Sequence, residues 1–148
     1  DGILPITKDE TGLAVVMGHE IAHAIAKHSA ERMSTQMLSQ YGASLAGLLV
    51  SKKSEITRAG VNTLYGLGTQ YGVMLPYSRK HEYEADQMGL IFLAMAGYDP
   101  SKAIGFWERM AANGANNTAE FMSTHPSDAN RIAKLKELLP EAMKYYKK

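Results

Sequence analysis

The pattern of apolar and polar residues predicts a chain built mainly from helices. In the stretch LAVVMGHEIAHAIA the apolar residues are too dense for a surface helix, so we expect a mostly buried helix from near Lys8 to about Arg32. The preceding stretch DGILPI is apolar and interrupted by proline, which is typical of a short edge strand. Such an edge could hold an extended substrate by strand addition, and the alternative is a mere lead-in to the helix. Thr7 and Glu10 match the capping box that begins a helix.

The middle of the chain has a different pattern. Residues 42–75 are rich in glycine and apolar residues and carry few charges, so we expect weak, mobile helix that forms a lid over a functional cleft. Pro76 stops this segment, and the next apolar pattern predicts a strong helix from about Arg79 to Ala96.

Turn residues separate the remaining predicted helices. Gly97 closes the preceding helix, and Asp99 with Pro100 forms a cap and first turn for a helix that ends near Asn113. A loop then leads to a last amphipathic helix over ANRIAKLKELL. Strand content beyond the first residues is scarce, so the pattern predicts a single, mainly α domain.

Composition narrows the classes of function. A chain of 148 residues can bury one core, and 16 basic against 15 acidic residues leave no footprint for nucleic acid. The absence of cysteine excludes disulfides and thiolate ligands, so a metal site must use His, Asp and Glu. No apolar run approaches the roughly 20 residues that cross a bilayer. Because the chain starts at Asp1, we expect it to be the C-terminal part of a longer protein.

Two histidines and a glutamate lie inside the first predicted helix, in GHEIAHAIAKH. His19 and His23 are four residues apart, so both imidazoles leave one face of a helix within reach of a single metal ion. Glu20 points about 100° away from His19, which suits a general base that holds a water. The alternative is a chance match in which both histidines are core residues. The cost of unpaired polar groups in an apolar helix favours the metal site.

A catalytic zinc ion requires three protein ligands and one open position. Ala26 and Ser29 stand where the longer HExxHxxGxxH motif has its glycine and third histidine, so the third ligand must lie elsewhere. His28 is about half a helical turn away from His19, and we expect a solvent-side or capping histidine without a function.

The sequence HEYEAD offers the best third ligand. Glu82 and Asp86 share one helix face, so Glu82 can bind the metal while Asp86 accepts a proton from a ligand histidine and fixes its tautomer. A solvated charged face is the alternative. The apolar continuation MGLIFLAMAG favours a buried helix, in which carboxylates need a partner such as a cation.

Four segments resemble, in order, the gluzincin metallopeptidases that include the prenyl-protein endopeptidase, the HtpX heat-shock protease and the mitochondrial overlapping-activity protease. They are LAVVMGHEIAHAIAKHSAER, SRKHEYEADQMGL, GYDP and STHPSDANRI. This ordered set covers most of the chain and is far more specific than HExxH alone. The resemblance is strongest to the soluble bacterial extracytoplasmic and mitochondrial branch, because the two transmembrane helices that other members insert between the motifs are missing.

The resemblance implies a zincin-like metallopeptidase domain over residues 1–148, with one zinc ion per chain. It implies that His19, His23 and Glu82 bind the zinc ion. It also implies that Glu20 is the general base and that Asp86 is the supporting carboxylate. It also makes His125 and Arg131 candidate catalytic residues that stabilise the tetrahedral intermediate. His125 has a second candidate role, as a ligand that fills the open zinc position in a resting form. Between these roles, we expect that His125→Ala lowers activity and retains zinc.

The expected function is that of a zinc-dependent endopeptidase acting on protein or peptide substrates. The resemblance places it in quality control of membrane-associated or misfolded proteins, at an extracytoplasmic, periplasmic or membrane-associated location, with the parent protein providing any membrane association. The rival hypothesis is a zinc-binding chaperone-like or scaffold module without turnover. Glu20 argues against it, since binding alone needs no base beside the metal.

Overall fold

The computed structural model describes residues 3–113, 125 and 129–147, and these residues are mainly helical, with no strand among them. This confirms the expected mainly α fold. The helices in chain order are α1 (Leu4–Thr7), α2 (Glu10–Ile25), α3 (His28–Leu49), α4 (Glu55–Thr69), a π-helical segment (Gln70–Met74), α5 (Leu75–Met95), α6 (Ser101–Asn113), α7 (Ala129–Ala142) and a final 3₁₀ turn (Met143–Tyr145).

The predicted edge strand at the N-terminus is wrong, because residues 4–7 form helix α1. Pro5 lies in the first turn of this helix, where its missing N–H costs no hydrogen bond and its fixed φ suits a helix. The predicted capping box is wrong as well. Thr7 Oγ1 donates to Leu4 O, and the side chain of Asp9 caps α2 by accepting from Gly12 N at 2.8 Å.

The first long helix is interrupted earlier than expected. Helix α2 ends at Ile25, and Lys27 takes a left-handed backbone conformation with φ 58° before α3 begins at His28. The expectation that His28 faces solvent is wrong, since only 4% of this residue is exposed. Its ring stacks on His81 with centroids 4.1 Å apart.

Later helix boundaries follow the turn residues more closely. Helix α5 begins at Leu75, so Pro76 lies in its first turn rather than before it. Gly97 has φ 85°, as expected for a residue that ends a helix, and the Asp99 side chain accepts from Ser101 N at the start of α6. The predicted loop over residues 114–128 lies, apart from His125, outside the described residues.

The chain divides into two compact units. The first contains residues 1–26 and 82–148, and the second contains residues 27–81. One hydrophobic core fills the first unit, where the buried apolar residues of five helices pack together: Ile6, Val15, Val16, Leu90, Leu93, Ala103, Phe106, Trp107, Met110, Leu135 and Ala142.

The second unit contains α3, α4 and the start of α5. Tyr65 of α4 donates its hydroxyl to Ser39 O of α3 at 3.0 Å. The bounds of α3, α4 and the π-helical segment make the glycine-rich segment 42–75 largely helical, and its role as a lid stays a prediction. Among the described residues, none of the helices is both long enough and apolar enough to cross a bilayer.

Candidate metal centre

Helices α2 and α5 bring three predicted metal ligands together. His19 and His23 are one turn apart on α2, and their Nε2 atoms are 3.1 Å apart. Glu82, near the start of α5, places one carboxylate oxygen 3.3 Å from each of these two nitrogens. His19 and Glu82 are buried, with 1% and 6% exposed. The motif in α2 and the acidic cluster in α5 thus form one site in the first unit.

His125 contributes a fourth donor atom to this cluster. Its Nδ1 lies 3.3 Å from His19 Nε2 and 3.1 Å from Glu82 Oε1. All four donor atoms lie within 4.8 Å of one another. A tetrahedron with corners about 2.0 to 2.1 Å from its centre, the usual Zn–N distance, has edges of roughly 3.3 Å. Taking the nearer carboxylate oxygen of Glu82 in each pair, five of the distances between donor groups are 3.1 to 3.3 Å, a spacing that suits a small cation such as zinc.

The protonation pattern also favours a cation at the centre. Asp86 Oδ1 lies 3.1 Å from Nδ1 of His19, which places the proton of a neutral imidazole on that nitrogen. Nε2 then carries a lone pair that points at the Nε2 of His23 and the carboxylate of Glu82. Facing lone pairs and a carboxylate repel one another, and a shared cation removes that repulsion.

Arg131 of α7 holds the two carboxylates behind the cluster. Its Nε and Nη2 donate to the two oxygens of Asp86 at 2.5 and 2.7 Å, and its Nη1 lies 2.9 Å from Glu82 Oε2. Trp107 of α6 packs on both Arg131 and His19. Its ring centroid lies 3.9 Å from the guanidinium carbon of Arg131 and 5.2 Å from the centroid of the His19 ring. Arg131 and Trp107 are each only 2% exposed, so they form a rigid backing for the site.

The ionised carboxylates shift the pKa values of the site. Burial tends to raise the pKa of Glu82, but hydrogen bonds with the three histidines and the charge of Arg131 hold that pKa far below its usual range. For His19, burial lowers the pKa, whereas hydrogen bonds with Asp86 and Glu82 raise it, and the balance lies above the ordinary value. The lowered pKa keeps the Glu82 carboxylate ionised, and the raised pKa of His19 reflects the carboxylates beside it, so the surroundings of these side chains favour a positive charge.

Glu20, the predicted general base, lies at the exposed edge of the cluster. Its side chain is 47% exposed, and its Oε1 is 3.4 Å from Nε2 of His125. It therefore faces solvent on the side of the cluster where His125 enters. A substrate or water can reach this carboxylate without displacing a buried side chain.

Two glycines allow the ligand helices to approach. A Cβ added to Gly18 of α2 would lie 3.1 Å from Gly89 O of α5, and a Cβ added to Gly89 would lie 3.1 Å from His19 N. Both distances are shorter than ordinary van der Waals contacts. The backbones of α2 and α5 thus touch beside the first ligand, which brings His19 close to Glu82 and Asp86.

Sequence reasoning did not identify Trp107 or the pairing of Arg131 with two carboxylates. A single tryptophan within an amphipathic helix carries no local signal that it will pack on a metal ligand. The structure also places His125 among the candidate ligands, whereas the sequence left its role open between two alternatives.

The sequence matches the model of "Peptidase family M48" over residues 1–139. It is 42% identical to the "Mitochondrial metalloendopeptidase OMA1" of Schizosaccharomyces pombe, over 96% of this chain and 40% of that protein. The human "Metalloendopeptidase OMA1, mitochondrial" is 33% identical over 97% of this chain and 28% of its own length.

A bacterial relative extends this comparison. The "Beta-barrel assembly-enhancing protease" of Escherichia coli K12 is 33% identical over 84% of this chain and 26% of that protein. The chain thus spans less than half the length of each of these three relatives. No solved structure matches the chain significantly.

Proposed function

Because the chain belongs to peptidase family M48, we propose that it is the catalytic domain of a zinc-dependent endopeptidase. The family implies a metal cofactor, which agrees with the resemblance to gluzincins seen in the sequence. We assign zinc to this role, with His19, His23 and Glu82 as its protein ligands. Nitrogen and carboxylate donors without cysteine are a donor set that catalytic zinc uses.

The convergence of donor atoms from two helices is the observation that carries this proposal. The Nε2 atoms of His19 and His23 and the carboxylate of Glu82 lie 3.1 to 3.3 Å apart. A buried cluster of this kind is costly for a protein that binds no cation, because each group loses its hydration. Surface charge would not explain a site in which His19 is 1% exposed.

Zinc, when bound, supplies a Lewis acid that polarises the scissile carbonyl and activates water. The carboxylate of Glu20 accepts the proton of the attacking water and then delivers it to the nitrogen of the leaving amine. Its exposure at the edge of the cluster gives it access to both. Asp86 accepts the hydrogen bond from Nδ1 of His19, so the lone pair of Nε2 remains available to the metal.

His125 fills the fourth position of the cluster in a resting form of the enzyme. Its Nδ1 is as close to His19 Nε2 and to the Glu82 carboxylate as these two groups are to each other, and its Nε2 lies 3.4 Å from Oε1 of Glu20. Both the open metal position and the general base are then engaged by one imidazole. Displacement of His125 by substrate would free them together.

Arg131 acts on the site through the carboxylates it binds. Its contacts with Asp86 and Glu82 engage all three guanidinium nitrogens, and the side chain is buried. This geometry supports a positioning role for Arg131, in which it orients Asp86 and Glu82, in place of the direct contact with the tetrahedral intermediate expected from the sequence.

The proposed substrates are membrane-associated or misfolded proteins, cleaved in an extracytoplasmic or membrane-associated setting. The names of the relatives support a role in proteolysis at such places: one group is called mitochondrial, and the other is called β-barrel assembly-enhancing. Cleavage of an unfolded model protein, with no cleavage of its native form, would be the first result in favour of this substrate class.

A comparison of the wild type with Glu20→Gln tests the proposed activity. The amide keeps the shape of the side chain but cannot accept the proton, so we expect normal zinc content with proteolysis reduced to background. Glu84→Gln is a matched control, since it makes the same change in the acidic motif at a residue rotated away from Glu82 and Asp86. Zinc binding without proteolysis in the wild type would instead favour the scaffold hypothesis, and equal turnover in Glu20→Gln would refute the assigned base.

A further inference from the structure

The second unit is strongly basic, although the net charge of the whole chain is only +1. Residues 27–81 contain seven basic and two acidic residues, whereas the remaining residues contain nine basic and thirteen acidic ones. All seven basic side chains of this unit are exposed, among them Lys52 and Lys53 in the turn between α3 and α4. A nearly neutral chain thus contains one strongly basic unit.

Large apolar side chains project from the same unit into solvent. Along α3 they recur every three or four residues and share one side of the helix: Met33, Met37, Tyr41, Leu45, Leu48 and Leu49. On α4, Ile56, Leu64 and Leu67 are exposed in the same manner. The most exposed are Leu49 at 84% and Ile56 at 86%, on either side of the turn that contains Lys52 and Lys53.

Small and polar residues occupy the inner side of this helical pair. Thr35, Ser39, Gly42 and Ala46 are half-buried positions of α3. A Cβ at Gly42 would collide with the hydroxyl of Tyr65, so the end of the Tyr65 side chain occupies the space beside Gly42. In a helix that packs in water the large apolar residues face inward. Here the large apolar residues of α3 face outward, while its small residues face Tyr65 of α4, and such an outward apolar surface is typical of helices in contact with lipid.

We propose that the α3–α4 pair, residues 28–69, binds the surface of an anionic phospholipid bilayer. The exposed apolar side chains enter the boundary of the acyl chains, while the exposed basic residues contact acidic head groups. The tip of the pair, with Leu48 and Leu49 beside Lys52 and Lys53, makes the deepest contact. In this proposal the helices lie in the interface, since neither is both long and apolar enough to span the bilayer.

The basic charge selects this partner over the alternatives. A second copy of the same unit would bring two surfaces of equal positive charge together, which opposes association. A bilayer that contains phosphatidylglycerol matches both surfaces of the unit. Its acyl chains can receive the exposed apolar side chains, and its acidic head groups can bind the exposed basic side chains. This inference does not depend on the proposed peptidase activity.

Flotation of the 148-residue chain with lipid vesicles tests the proposal. We expect binding to vesicles of phosphatidylcholine mixed with phosphatidylglycerol, weak binding to pure phosphatidylcholine, and release at high salt. Replacing Lys52 and Lys53 by Ala should lower the partition coefficient by about 5-fold per residue, or roughly 30-fold together. Lys144→Ala with Lys147→Ala removes the same charge from the first unit and should change little.

A second pair of variants tests the apolar contact. Leu48→Ser with Leu49→Ser should lower binding by at least about tenfold, whereas Leu4→Ser with Ile25→Ser, at exposed positions of the first unit, should not. Because these side chains are exposed, circular dichroism should show unchanged helix content.

A probe can also measure insertion directly. The chain has no cysteine, so Leu49→Cys accepts a single polarity-sensitive fluorophore, and its emission should shift to the blue on anionic vesicles. The same label at Lys144→Cys should not shift. Absence of flotation, equal binding to neutral vesicles, or full binding by the Leu48/Leu49 variant would overturn the proposal. Concentration-dependent dimerisation that these two substitutions abolish, without vesicle binding, would instead make this face a contact between copies.

Discussion

Replacing Gly89 by Ala should disturb the metal centre although residue 89 is not a ligand. The new Cβ would lie 3.1 Å from His19 N and 3.3 Å from Gly18 C, whereas ordinary contacts lie at about 3.5 Å or more. The helices α2 and α5 would have to move apart by roughly 0.4 Å. Metal–ligand distances are held to within about 0.2 Å, so we expect zinc affinity to fall at least about tenfold.

A matched substitution separates this packing effect from helix propensity. Inside a helix, replacing glycine by alanine raises the free energy of unfolding by about 1 kcal/mol. Overpacking lowers the free energy of unfolding by about 1–3 kcal/mol. Gly60→Ala in α4 has the same gain with nothing within 4 Å of its Cβ. The free energy of unfolding of metal-free Gly89→Ala should therefore lie about 1–3 kcal/mol below that of Gly60→Ala.

Urea denaturation and competition with a chelator measure the two quantities. Equal stabilisation by both substitutions, together with wild-type zinc affinity in Gly89→Ala, would refute the argument that close backbone contact positions His19.

Two further substitutions address the residues around the cluster. Asp86→Asn should lower zinc affinity 10- to 100-fold. It should also lower the free energy of unfolding of the metal-free protein by about 3 kcal/mol, because the buried Arg131 loses an ionised partner. An unchanged dissociation constant for zinc would assign Asp86 no role at the metal. His125→Ala should raise the turnover of a short peptide by freeing the fourth position and Glu20, opposite to the loss expected from the sequence. Wild-type turnover and zinc affinity in His125→Ala would exclude His125 from the site.

The parts of the fold that sequence predicts are those with local signals. Gly97 and Asp99 mark the boundary between α5 and α6, because a left-handed glycine and a capping carboxylate act within a few residues. The break at Lys27 has no such signal, since a lysine with positive φ is imposed by the surroundings of the chain rather than by its own preference. The strand expected at Pro5 was wrong for a related reason: proline suits both an edge strand and a first helical turn.

The candidate site shows the same division. Residue spacing alone places His19 and His23 on one helix face, and charge within an apolar helix points to Glu82 and Asp86. The pairing of Asp86 with Arg131 spans 45 residues of sequence, and depends on how α5 and α7 pack. No short pattern encodes such a contact, so only the assembled core reveals which charges neutralise each other.

The division of the chain into two units has a consequence for how this architecture can evolve. His23 and Glu82 belong to one unit, and most of the residues between them, from 27 to 81, form another. Insertion or deletion inside a self-contained intervening segment adds little closure entropy, because that cost grows only with the logarithm of length. The segment 27–81 can therefore change its length and its surface in evolution without a change in the residues of the metal centre. The unit that carries the metal centre can keep the same chemistry while the intervening unit adapts to a new cellular setting.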